Sequence, residues 1–391
     1  MARGRGSARG DLQRMKPKTA ISLLSLQAIF HLDSLVIQDI DERLEKRLGR
    51  LHARLRLGIE DDHEAQVFGQ GINYFHIENL PPSHVAIRLC LKLAGVYGRG
   101  HRNAAQIELR RHDVTSSRIP KAFDGFTILQ LSDLHVEMSE GAMMRLAAML
   151  PDIDYDLCVL TGDYRAQTFG SYETALAGMA RLCSTLKRPI YGVLGNHDTI
   201  RMVPGLEDMG IQMLLNENHA IERGNQRIYL AGIDDAHFYR VDNIEKAATG
   251  IPFENFSILL SHTPEVYQQA SYADFSLLLS GHTHGGQICL PGRIPITLDS
   301  VLPRHMGSGA WKYRDMVGYT SVGAGSSIVP VKIQLPPGNY PPPPASEKRG
   351  LMGTISDVPC EGQSREKVTA IAAFVAWVLV SLAWRRSAIW E

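Results

Sequence analysis

Two short stretches of this chain place metal-binding side chains two residues apart. In Asp133-Leu134-His135 and His282-Thr283-His284, residues i and i+2 of an extended segment point the same way, so each pair can reach one ion. Three further clusters carry ligand-type groups: Gly162-Asp163, Gly195-Asn196-His197-Asp198 and Ser261-His262. A carboxylate such as Asp163 can bridge two cations through its two oxygens, Asn196 offers a neutral oxygen, and His262 another imidazole. This mixture of carboxylate, amide and imidazole suits Mn, Fe or Zn better than Mg or Ca, which favour all-oxygen shells.

Singly, each cluster is weak, because Asp-x-His arises by chance and an isolated histidine is more often a hydrogen-bonded surface or core residue than a ligand. Their order gives them weight. Each follows an apolar run of strand length, at 126–131, 157–161, 189–194, 256–260 and 275–280. Helix-like stretches lie at 141–150 and 172–187, and 211–233 reads as a hairpin turning at Gly224-Asn225. Strands alternating with helices predict an α/β domain. In open α/β sheets ligands bind beyond the carboxyl ends of the strands, so the five clusters are expected to share one rim. Packing needs do not account for them, since buried His, Asp and Asn without partners cost free energy.

The ordered set resembles the calcineurin-like metallophosphoesterase superfamily, whose signature runs D-x-H, G-D, G-N-H-D/E, a later H, and G-H-x-H. The extension Gly281-His282-Thr283-His284-Gly285-Gly286-Gln287, with Leu290-Pro291-Gly292 after it, is similar to the YkuE- or YaeI-like phosphodiesterase branch. The resemblance covers residues 125–334 and implies a four-layer αββα sandwich. It also implies two divalent metal ions. One would be held by Asp133, His135, Asp163 and His284, the other by Asp163, Asn196, His262 and His282, with a hydroxide between them as nucleophile. His197 and Asp198 are the implied catalytic pair: His197 as general acid or transition-state donor, with Asp198 orienting it or pointing away. The implied reaction is hydrolysis of a phosphodiester or pyrophosphate in a small-molecule, lipid or nucleotide-linked substrate. A soluble phosphomonoesterase or cyclic-nucleotide phosphodiesterase is the alternative, and a non-enzymatic scaffold a more distant one. Protein phosphatases of the superfamily carry G-D-x-x-D-R, whereas here Asp163 is followed by Tyr164-Arg165-Ala166. Arg165 is then free to contact a phosphate or headgroup, or to form a surface salt bridge.

The flanking segments complete the expected organisation: a basic leader at 1–34, a helical extension at 35–122, the catalytic domain at 123–335, a Pro-rich linker at 336–366 and a hydrophobic segment at 367–386. Within the extension, Ile37, Ile40, Leu44, Leu48, Leu51 and Leu55 recur at helical spacing, predicting an amphipathic helix over 35–57 that packs on the main domain or on a copy of itself. Residues 84–96 are mostly apolar but carry Arg88 and Lys92, with Arg99, Arg102, Arg110 and Arg111 close behind. That combination fits an anionic membrane, a cap on the active site, or ordinary packing. Val368–Trp384 is a run of 17 residues without a charge, at the lower limit for a membrane span, so the expected location is cytoplasmic with attachment through this segment. The 41 basic and 41 acidic residues cancel, which gives no case for nucleic acid as a partner and none for a particular oligomeric state. Five scattered cysteines with no C-x-x-C pair suit a reducing compartment.

Overall fold

The computed structural model describes residues 35–69, 81–333 and 349–357, apart from positions 36, 291–293, 296–297 and 328. The basic leader and the hydrophobic segment at 367–386 lie outside the described residues. No described helix is long and apolar enough to cross a membrane.

The chain divides into two compact units, residues 1–54 and 55–391. In the first, the helix expected over 35–57 is interrupted. Helix α1 (37–48) stops at Gly49, whose φ of +84° is a conformation that glycine adopts at little cost. A new helix, α2 (Arg50–Gly69), then starts, and its residues from Leu55 onward belong to the second unit.

The second unit continues with α3 (Pro81–Leu93), α4 (Tyr97–Ala104) and the strand β1 (Ile107–Thr115). Next come β2 (Thr127–Leu131), α5 (Glu140–Met149), β3 (Leu157–Thr161), α6 (Glu173–Cys183) and β4 (Ile190–Val193). Helix α7 (Val203–Asp208), β5 (Ile211–Met213), β6 (Glu217–Arg223) and β7 (Gln226–Gly232) follow. The chain goes on through α8 (Ile244–Ala248), β8 (Ser257–Leu260), α9 (Tyr267–Tyr272), β9 (Leu277–Ser280), β10 (Cys289–Leu290) and β11 (Ile294–Pro295). It closes with β12 (Gly309–Tyr313), β13 (Met316–Thr320) and β14 (Arg349–Asp357). The five apolar runs are strands β2, β3, β4, β8 and β9, and the hairpin turns between Arg223 and Gln226.

Two six-stranded sheets result, ordered β1-β14-β2-β3-β4-β5 and β12-β13-β9-β8-β7-β6. Strands β14, β2, β3, β4 and β5 run parallel, as do β13, β9, β8 and β7. Alternate residues along each strand point to opposite faces. Ile128, Leu157, Val159, Tyr191 and Val193 of one sheet therefore meet Leu230, Ile258, Leu260, Leu277 and Leu279 of the other in a shared core. The outer face of the second sheet is covered by α8 and α9 through Ala247 and Ala270. On the first sheet the alternating set Leu129, Leu131, Cys158 and Leu160 is fully buried, as are Leu146 of α5 and Met179 of α6. This is the expected α/β/β/α layering.

The sheet reaches beyond the expected catalytic domain at both ends. Strand β1 comes from the stretch read as a helical extension, and β14 from the stretch read as a Pro-rich linker. Charged residues within 107–115, and the mixed polarity of 349–357 beyond the prolines, hid both from a search for apolar runs. Pairing supplies what hydropathy does not: β1 and β14 are matched over nine positions, Ile107↔Asp357 to Thr115↔Arg349.

His112 of β1 links the two sheets, its Nε2 lying 3.1 Å from the Tyr319 hydroxyl of β13. Burial, reinforced by Arg110, lowers its pKa from 6.5 to about 4. Between those values the unfolded chain takes up a proton that the folded chain resists, so stability falls as pH drops through this window and is unaffected above it. His112→Gln, which keeps a partner for Tyr319, is expected to flatten the decline between pH 6.5 and 4, read from denaturant midpoints of both proteins across that range.

Candidate metal centre

Strands β2, β3 and β4 of one sheet and β8 and β9 of the other end along a common edge, and the five clusters begin where they stop. The turns are conformationally costly. Asp133 (φ 50°), His135 (39°), Asp163 (57°), His282 (68°) and His284 (48°) all occupy the left-handed region, at about 1–3 kcal/mol each for non-glycine residues. Such strain persists only where the surroundings over-determine it. The backbone N–H groups of Asp133 and His135 donate to the carbonyls of Gly162 and Asp163, both at 3.0 Å. The His282 N–H donates across the sheets to Asp133 Oδ1 at 2.9 Å. Glycine is required at Gly195 and Gly281 by close approach: a Cβ would fall on Asp163 Oδ1 at the first and on Ser132 Oγ and Asp133 Oδ2 at the second.

All seven residues expected as ligands come together, nearly without solvent exposure. Asp133, His135 and His284 form one group whose ligand atoms lie within 4.8 Å of one another, and Asp163, His262 and His282 form a second. Asp163 Oδ2 stands between them, 3.7 Å from His135 Nε2 and 3.3 Å from His262 Nε2. Asn196 Oδ1 lies 2.9 Å from both His262 Nε2 and His282 Nδ1.

The ring tautomers follow from the outer partners. His135 Nδ1 faces the Arg165 carbonyl at 2.8 Å, His262 Nδ1 the Thr161 carbonyl at 2.8 Å, and His282 Nε2 the Asp299 carbonyl at 3.0 Å. Carbonyls only accept, so those nitrogens carry the protons, and the opposite nitrogens turn lone pairs inward. The inward nitrogens crowd one another: His135 Nε2 is 3.2 Å from His284 Nε2, and His282 Nδ1 is 3.2 Å from His262 Nε2. Acceptors converging at these distances call for positive charge at the centre. The residues therefore fit divalent cations bound by mixed N/O donors.

The titration behaviour agrees. Burial opposes ionisation of Asp163, yet His262, His197 and His135 around it carry the carboxyl well below its usual range. Burial favours a neutral His262, but Asp163 outweighs it and raises the ring from 6.5 to about 10. Burial, with His237 and His262 adding to it, keeps His282 well below 6.5. A proton on His262 and a cation thus compete for one Nε2 lone pair.

His197 lies within the cluster without joining either group. Its Nε2 is 3.9 Å from Asp163 Oδ2, and its Nδ1 is 3.3 Å from Thr168 Oγ1. Asp198 does not orient it. The Asp198 carboxylate accepts backbone N–H groups of Asp163 (2.8 Å), Gly195 (2.9 Å), Tyr164 (2.9 Å) and Arg165 (3.3 Å). It braces two ligand loops against each other, and the adjacent positions in sequence diverge in space. Arg165 reaches neither a phosphate site nor a surface salt bridge; it is buried, with its guanidinium donating to the carbonyls of His197, Thr168 and Gly170.

Sequence reading missed a second brace, carried by α2. Arg56, fully buried, donates to the Asp198 carbonyl at 3.0 Å, pairs with Glu60 (3.3 Å) and Asp234 (3.5 Å), and lies 3.3 Å over the Tyr239 ring. Glu60 accepts from the Thr199 hydroxyl at 2.5 Å and the Ile200 N–H at 2.8 Å. The spacing of Arg56 and Glu60 at i and i+4 was the available signal, but such pairs usually lie on solvated faces. A cavity of about 400 Å³ lined by His237, Glu265, Asp299 and Arg304 adjoins His282, whose ring centroid is 4.2 Å from that of His237.

Two parallel-stranded sheets sharing one edge of carboxylate, amide and imidazole groups define a metal-binding α/β sandwich. The chain belongs to the calcineurin-like phosphoesterase family, whose model matches residues 126–286. It is 31% identical over 201 residues to the uncharacterized metallophosphoesterase YkuE of Bacillus subtilis, covering 49% of this chain and 69% of that one. It is 30% identical over 240 residues to a transmembrane protein with metallophosphoesterase domain of Danio rerio (56% of this chain), and spans about half, 53%, of that relative's length. Phosphodiesterase YaeI of Escherichia coli is 26% identical over 217 residues, covering 51% of this chain and 76% of that one.

Removing one partner of a buried ion-pair network leaves uncompensated charge, at a cost of about 3–5 kcal/mol. Arg56→Ala should therefore lower the unfolding free energy by about that amount in urea titration, and Arg56→Lys should restore only part of it because an ammonium lacks the guanidinium fork.

Proposed function

We propose that this protein is a metal-dependent phosphoester hydrolase that holds two divalent cations and cleaves a phosphodiester or pyrophosphate bond. The observation that carries the reading is the inward convergence of His135 Nε2, His284 Nε2, His262 Nε2, His282 Nδ1 and Asn196 Oδ1 around the Asp133 and Asp163 carboxylates. Asp133, His135, Asp163 and His284 would hold one ion, and Asp163, Asn196, His262 and His282 the other. Two cations in such an arrangement polarise phosphoryl oxygens and acidify water near neutral pH.

The chain's own groups complete the site. Asp163 gives both positions a shared negative charge, and the carbonyls of Arg165, Thr161 and Asp299 keep the imidazoles aimed inward. His197, outside the two groups but 3.9 Å from Asp163, would donate a proton or hydrogen bond to the departing oxygen. Arg165 donates to its backbone carbonyl, and Asp198 braces the loops on either side through the Asp163 and Gly195 N–H groups, both as positioning residues. The substrate reading favours diesters: the chain lacks the second Asp of the protein-phosphatase motif, and YaeI, among the relatives, is named a phosphodiesterase.

Turnover of bis-p-nitrophenyl phosphate by the Mn-loaded protein is expected, with His197→Ala losing about 10²–10⁴ in kcat while retaining its metal. Metal content by plasma emission spectrometry separates the roles: Asp163→Asn should lose bound metal, His197→Ala should not. A wild-type protein that binds Mn but hydrolyses neither this diester nor a lipid-linked pyrophosphate overturns the proposal.

A further inference from the structure

Helix α3 buries one face and leaves another bare. Ile87 and Leu91 pack with Val329, Val331, Ile333, Val96, Tyr97 and Ile288 in a small separate core. Val85, Leu89 and Leu93, spaced four apart and so aligned on a different face, are 66%, 54% and 81% exposed. Three aligned, exposed apolar side chains on one helix form a contiguous stripe, unlike single surface hydrophobics, which are ordinary.

The charges beside the stripe are of one sign. Arg88 and Lys92 each precede a stripe residue by one position and are exposed, as is Arg102 of α4; Arg99 is part-exposed. From residue 81 to residue 107 there is no Asp or Glu, in a chain whose total charge is zero. A protein partner for an apolar stripe is usually met by a rim of mixed polarity. An apolar stripe edged only by cations matches the acyl boundary and headgroups of an anionic bilayer.

The stripe is also tied to the metal edge. Ile288, in the same small core, follows Gln287, whose side chain donates to the carbonyls of Ser327 (2.7 Å) and Val329 (2.9 Å). The backbone N–H of Ile333 donates to the Gln287 carbonyl at 2.9 Å. A short stretch of rigid chain thus separates α3 from His284. We infer that α3 and the start of α4 form a docking surface for anionic lipid, which brings the metal edge to a membrane interface. This holds whether or not the phosphoesterase reading does, because it rests on a different set of residues.

The test uses the full chain and sedimentation with two vesicle types, pure phosphatidylcholine and phosphatidylcholine with about 30% phosphatidylserine, at low and high salt. Expected is binding to the anionic vesicles that weakens with salt. Both Leu89→Asp/Leu93→Asp and Arg88→Glu/Lys92→Glu should lose at least about tenfold in partitioning, with thermal midpoints close to wild type. Equal binding to both vesicles, or partitioning that neither double variant alters, overturns the inference. So does a wild-type protein that ignores vesicles but forms a dimer abolished by Leu89→Asp/Leu93→Asp.

Discussion

Ligand-type groups crowded around one point, two carboxylates and four imidazoles among them, are the constraint around which this molecule is arranged. An isolated pair of acceptors separates or rotates, and here neither response is open. Each ring of His135, His262 and His282 is pinned from behind by a backbone carbonyl, and each loop is pinned by bonds that cross from one sheet to the other. Five ligand-type residues in left-handed conformations record what that pinning costs. Positive charge at the centre offsets the repulsion among these buried groups, while the bonds behind them hold the strained loops in place.

This explains the density of braces near the loops after β3 and β4. Asp198 and Arg165 look like catalytic groups by type, since one is a carboxylate beside the histidine His197 and the other a guanidinium two residues from Asp163. Their atoms are committed to backbone amides and carbonyls instead. Arg56 and Glu60 extend the same logic outward from α2. The ligand-type groups are thus held in place by residues that stand behind them.

What the sequence made legible follows from which interactions are local. The five strands leading to the clusters have runs of buried aliphatic residues, and the clusters start where those runs stop. The extended backbone expected for the ligand pairs is instead left-handed, and His282 and His284 turn to different groups. The site could therefore be read almost whole, as far as Asn196 and His262. Strands β1 and β14 could not, because an antiparallel partner from the far end of the chain, and not hydropathy, makes them strands. The roles of Asp198, Arg165, Arg56 and Glu60 were likewise hidden, since a charged side chain that serves backbone groups leaves no periodic trace. Gly49 shows the opposite limit: the apolar spacing continued through a residue whose conformation ends the helix.

The stretch matched by the family, 126–286, is shorter than the unit that folds around it. Strand β1 precedes it, β12, β13 and β14 follow it, and the clamp on Thr199 and Ile200 comes from α2. The ligand-type groups and part of their mechanical support thus lie on different segments of one polypeptide. The flanking segments extend both sheets and hold the loop after β4. The part of the chain that carries the ligand-type groups therefore does not mark the limits of the part that must fold for them to meet.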